Sequence, residues 1–132
     1  MARAPLRPAP TPYFVEALAV YPTSPPEVIV VPRHLGALPG LFGPAGFDVV
    51  APDEEPPPWL ALVDAQGVAD GMRPNGMASV LIALSGCRVH AAPLLGLVLF
   101  VGADDYRVDN VPADMIYMAR CLDDDLPRDL LP

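Results

Sequence analysis

Proline constrains this chain more than any other residue. Nineteen of its 132 residues are proline, and a residue with fixed φ and no backbone N–H breaks the interior of a helix or a central strand. Ten glycines add further turns, yet Leu, Val, Ile and Phe remain abundant between them. With 52% of the chain hydrophobic and 18% charged, one domain of short elements joined by many turns is expected. Such a domain can bury a core without disulfides or a structural metal, and the length is too small for two.

Prolines at 5, 8, 10 and 12 make residues 1–12 an extended, flexible arm. From Tyr13 the apolar alternation through Tyr21, the loop Pro22-Thr-Ser-Pro-Pro26 and the run Val28-Ile-Val-Val31 predict a β-hairpin. Leu35, Leu38, Leu41 and Phe42 have helical spacing, which Pro39 limits to a short or kinked helix. Phe47–Val50 and Trp59–Val63 read as an antiparallel pair across the acidic turn Ala51–Pro58. Asp64-Ala-Gln-Gly67 supplies a further turn before a short strand at Val68–Gly71.

Asn75 precedes Met77, Val80, Leu81 and Leu84, spaced i, i+3, i+4 and i+7, and Gly86 stands where a helix ends. A helix is expected there, with a strand through Ser79–Leu84 as the competing reading. Cys87–His90 reads as a short strand, and Leu94–Val101 as a buried one ended by Gly102 and Asp104-Asp105. Pro112, Asp114 and the stripe Met115, Met118, Ala119 and Leu122 predict a C-terminal helix. The fold class is therefore α+β. It has a mostly antiparallel sheet, an N-terminal hairpin and two or three short helices, with the domain spanning 13–122 and an acidic tail at 123–132.

Segment order here resembles an uncharacterised family, domain of unknown function 3846, found mainly in bacteriophages, mobile elements and actinobacteria. The likeness runs from Ala17–Pro22 and Val28–Val31 through Leu35–Gly43 and Phe47–Val50. Its most specific piece is Val63-Asp-Ala-Gln-Gly67 followed by Gly71-Met-Arg-Pro-Asn75, and Leu95–Gly102 matches a later glycine-bearing strand. Pro39 and Met72-Arg73 depart from the pattern. The resemblance implies a phage or mobile-element setting and brings no catalytic residues.

Charge excludes one class of partner. Eight arginines, no lysine and sixteen acids give a net charge of −8, which repels phosphate, so direct duplex DNA binding is not expected. The residue usage is what G+C-rich codons supply, which accounts for arginine without a functional need. No apolar stretch is long enough to span a membrane, and no signal-peptide core forms near Met1, so a cytoplasmic location is expected, the host cytoplasm for a phage protein. Cys87 and Cys121 should then be reduced and largely buried.

Chemistry-bearing residues are few. Cys87 and His90 would face opposite sides of a strand, which speaks against a nucleophilic dyad. His34, Cys87, His90 and Cys121 lack zinc-ligand spacing, and Asp105–Asp114 lacks the glycine and glutamate of a calcium loop. No metal or cofactor is expected. Asp64, Arg73, Asn75 and Arg88 are candidates for a ligand or partner site, against a plainer reading in which Asp64 opens a turn, Asn75 caps a helix and Arg73 lies in solvent. Half of the acids fall in residues 104–132, including Asp123, Asp124, Asp125 and Asp129. They read either as a solubilising tail or as a surface that mimics nucleic-acid phosphates toward a basic protein site.

The preferred expectation is a small, non-enzymatic interaction protein acting on another macromolecule, a host or defence protein in a phage setting. The alternative is a protein that sequesters a nucleotide-like ligand through Arg33, Arg73 or Arg88, and an enzyme comes third. Self-association stays open.

Overall fold

The computed structural model describes residues 13–34, 42, 46–66, 71–86, 94–105 and 107–125. In chain order they form β1 (Phe14–Val20), β2 (Glu27–Pro32), β3 (Phe47–Val50), β4 (Trp59–Asp64), α1 (Gly76–Leu84), β5 (Val98–Asp104), β6 (Arg107–Asp109) and α2 (Ala113–Asp125). The strands make one six-stranded antiparallel sheet in the order β2-β1-β5-β4-β3, with β6 also paired to β5. The fold is α+β, with an open sheet and two helices among the described residues, one of them C-terminal.

Side chains alternate between the two faces of the sheet, and both faces are buried. Leu18, Val20, Trp59, Ala61, Val98 and Phe100 point to the helices, where they meet Met77, Ala78, Leu81 and Ile82 of α1 and Met115 and Ala119 of α2. Val15, Ala17, Ala19, Leu62, Leu99 and Val101 point the other way and are equally dry, with Phe42 and Phe47 packed against them, their ring centroids 5.6 Å apart. Burial on both faces explains why β5 reads as an unbroken apolar run rather than an alternation.

Several boundaries differ from the sequence reading. β5 starts at Val98, four residues later than expected, because Leu94 to Gly96 bond sideways: Leu95 bridges Pro74, and the carbonyl of Leu94 accepts from the Asn75 N–H at 2.8 Å. The strand also runs through Gly102 instead of ending there. Gly102 is required by close approach, since any Cβ would collide with the Asn110 carbonyl as the chain returns from β6. β6 was not anticipated. It occupies the slot beside β5 that β1 leaves open, and the chain after it continues the pairing: the Val111 N–H donates to the Glu16 carbonyl at 2.9 Å, and Asn110 Oδ1 accepts from the Glu16 N–H at 2.8 Å.

The expected helix at 33–43, the strands at 68–71 and 87–90 and the arm at 1–12 lie largely or wholly outside the described residues. α2 continues through Asp125, so Asp123, Asp124 and Asp125 belong to its last turn rather than to a tail.

Candidate functional site

Asn75 is held among buried groups at the point where β1, the approach to β5 and α1 converge. It is 1% exposed. Its Oδ1 accepts from the Ala78 N–H at 3.0 Å, which caps α1, while its Nδ2 donates to the carbonyls of Val20 at 2.9 Å and Gly96 at 2.8 Å. Its own carbonyl accepts from the Ser79 N–H and Oγ, both at 3.2 Å. Both amide donors and one of the two Oδ1 lone pairs are thus used inside the fold, so the side chain serves the junction. Gly96 fits this junction because its φ of 72° is left-handed and a Cβ would come within 2.6 Å of Met72 Sδ.

The other candidates do not gather around Asn75. Asp64 is buried at the end of β4, and its Oδ1 accepts from the Gln66 N–H at 2.7 Å, an Asx turn. Arg73 is exposed, and its contribution to the junction is its backbone carbonyl, which accepts from the Gly96 N–H at 2.7 Å. Arg88 and Asp129 lie outside the described residues, as do Cys87 and His90. Arg33 donates from Nη1 to the Val108 carbonyl at 2.8 Å, tying β2 to β6. Among the described residues no group of three His, Cys, Asp or Glu side chains could hold a metal ion.

Cys121 is a free thiol and half-buried, more accessible than its apolar neighbours suggested. It lies one helical turn from Tyr117, whose side chain projects into solvent. The hydrogen bond to Cys121 pushes the Tyr117 hydroxyl above its ordinary range, with smaller contributions from the charge of Cys121, desolvation and Asp125. Trp59 donates from Nε1 to the Ser85 carbonyl at 3.2 Å, which satisfies the C-terminal end of α1.

Two surface features remain. At the C-terminal end of α2, Asp123, Asp124 and Asp125 stand in succession with no base in the last turn. Negative charge there opposes the helix dipole. Where β1 passes into β2, an open depression of about 470 Å³ is lined by Tyr21, Ser24, Pro25, Pro26 and Glu27. Tyr21 Oη donates to Glu27 Oε1 at 2.6 Å, and this bond, with some burial and the negative charge of Glu27, raises the tyrosine above its ordinary range. The depression is lined by a carboxylate and by no arginine, the wrong chemistry for an anionic nucleotide. Sequence reasoning passed over Tyr21 and Glu27. Their one sequence signal was the proline-rich loop that rigidly separates them.

No family model, no curated protein and no solved structure matches this chain. No helix among the described residues is long and apolar enough to cross a membrane.

Proposed function

We propose that this chain is a small, non-enzymatic interaction protein that presents acidic charge to a basic face of another protein. The observation that supports this reading most directly is the run Asp123-Asp124-Asp125 in the last turn of α2, of which Asp124 and Asp125 are exposed and in which basic residues are absent. Each exposed carboxylate at a helix C-terminus costs roughly 0.3–1 kcal/mol, and a cationic partner removes that cost on binding. The net charge of −8 adds long-range attraction toward the same class of partner. The phage or mobile-element setting, with a host or defence protein as target in the host cytoplasm, enters this proposal from the segment resemblance alone.

The test compares equal losses of charge at two places. Association with an oligo-arginine peptide is followed by stopped flow across a salt series for the wild type, for Asp123→Asn/Asp124→Asn/Asp125→Asn, and for Asp53→Asn/Glu54→Gln/Glu55→Gln in the β3–β4 turn. The α2 variant is expected to slow association and flatten the salt dependence more than the turn variant. Equal effects would reduce the role of α2 to net charge and overturn the reading.

A further inference from the structure

The phase of β2 is fixed by its neighbours. The Arg33 N–H donates to the Tyr13 carbonyl at 2.8 Å, so residues 13 and 33 form a hydrogen-bonded pair, and the register carries that phase along both strands. Val31, Ile29 and Glu27 therefore turn their backbone groups toward β1, while Val28, Val30 and Pro32 turn theirs outward. β1 agrees: Glu16 and Val20, the opposite phase, bond away from β2 to Val111, Asn110 and Asn75.

Among the described residues β2 is the last strand on its side of the sheet, and none of them bonds to the outward groups of Val28 or Val30. Val30 is also 66% exposed. The strand, Glu-Val-Ile-Val-Val-Pro, carries neither lysine nor an inward charge to blunt its edge. Pro26 and Pro32, at outward positions on either side, have no N–H to offer and confine strand addition to a short window. That window opens onto the depression at Tyr21, Pro25 and Glu27, where the Tyr21 hydroxyl holds the Glu27 carboxylate.

We propose that the outer edge of β2 accepts a short extended segment of a basic partner protein as an added antiparallel strand, with a Lys or Arg side chain of that segment against Glu27. The hydrogen-bonded pairs fall at Val30 and Val28, exchanging bonds with partner residues two apart. The next partner residue stands opposite Glu27 in a non-hydrogen-bonded pair, where side chains lie closest. Backbone bonds supply attachment and the charge pair supplies selectivity, the division of labour common to strand addition. A second copy of this chain fits worse. With Val28 opposite Val30 across a two-fold axis, Glu27 would face Val31 and gain no charge pair; with the axis at Val30, Glu27 would face Arg33, whose Nη1 already donates to the Val108 carbonyl, and Val28 would face Pro32, which has no N–H to offer. In either register two chains of net charge −8 approach each other. This inference concerns a surface separate from the end of α2 and stands or falls independently of it.

A capped peptide, Thr-Val-Thr-Val-Arg-Thr, is titrated into the full chain while backbone amides are followed by NMR and hydrogen exchange. Shifts and slowed exchange at Val28 and Val30 are expected, and Val30→Pro, which removes an outward donor while leaving the bonds to β1, should abolish them. Val30→Thr keeps the N–H and should bind as the wild type does. Glu27→Gln, or glutamate in place of the peptide's arginine, should weaken binding, the former by up to about fivefold. Exchange protection in the wild type decides the matter if Val30→Pro fails to fold. Shifts centred on β3 or α2, full binding by a folded Val30→Pro, or protection of Val28 and Val30 that rises with protein concentration without peptide would each overturn the proposal.

Discussion

Asn75 reaches across 55 residues of sequence to donate its side-chain amide to the Val20 carbonyl at 2.9 Å. The bond closes the end of β1, while the same side chain caps α1 and holds the loop that enters β5. Removing it strands the Gly96 carbonyl and the Ala78 N–H and takes from the Val20 carbonyl the donor it holds besides its ladder partner Val98. Asn75→Ala should therefore cost about 3 kcal/mol or more, since each buried group left unpaired costs about 1–3 kcal/mol. Asn75→Asp keeps the cap but turns a carboxylate toward two carbonyls, so its stability in urea should recover as pH falls and the carboxyl takes up a proton. An Asp variant as stable as the wild type at neutral pH would contradict the assigned orientation of the amide.

Much of the architecture was legible in the sequence because the local signals agreed with the tertiary outcome. Pro22 to Pro26 punctuate the β1–β2 hairpin, Asn75 and Gly86 bracket α1, and the apolar stripe of α2 is continuous. β6 was not legible. Arg107-Val-Asp109 is too short and too polar to announce a strand, and it exists because β1 leaves β5 unpaired beyond Phe100. The late start of β5 was hidden for a related reason: Leu94 and Leu95 look like strand residues, but the Asn75 N–H takes the Leu94 carbonyl and the Arg73 carbonyl takes the Gly96 N–H, which sets Leu95 opposite Pro74. At the candidate site the plainer reading describes Asp64 and Asn75, whose polar atoms serve a turn and a cap. The outward phase of β2 could not be read from residues at all, because it depends on which neighbour takes the alternate hydrogen bonds.

Gly102 offers a sharp test of the β5–β6 return. Its Cα faces the Asn110 backbone so closely that a methyl group cannot be accommodated without moving one strand. Gly102→Ala should lose about 3 kcal/mol, the upper end of overpacking costs, measured by denaturant unfolding. An Ala variant within experimental error of the wild type would mean that the chain does not turn back at Asn110 as described.

Alkaline pH should act through Tyr21. Its hydroxyl donates to Glu27, so ionisation breaks that bond and sets a phenolate beside a carboxylate, which raises the folded-state value above the ordinary phenol value of about 10. A raised value means the native state holds its proton longer. The stabilisation is present below the unfolded value and is lost as pH rises through the folded one. Tyr21→Phe should flatten the fall in thermal midpoint above about pH 10. Tyr117, raised by Cys121, titrates in the same region, so Tyr117→Phe is the necessary companion. An unchanged alkaline profile in Tyr21→Phe would place the effect elsewhere.

The end of α2 should behave as a stability cost held in reserve for association. Asp124 and Asp125 are exposed in the last turn, against the negative end of the helix dipole. Replacing both by Asn should raise stability by about 0.3–1 kcal/mol per residue at low salt, and the gain should shrink as salt screens the charges. The wild type would then gain more than the variant from an added oligo-arginine peptide in a thermal shift experiment, because binding to the native state stabilises it by mass action. A loss of stability in the double variant would show that these carboxylates hold the helix end in place, and the acidic run would no longer support a docking role.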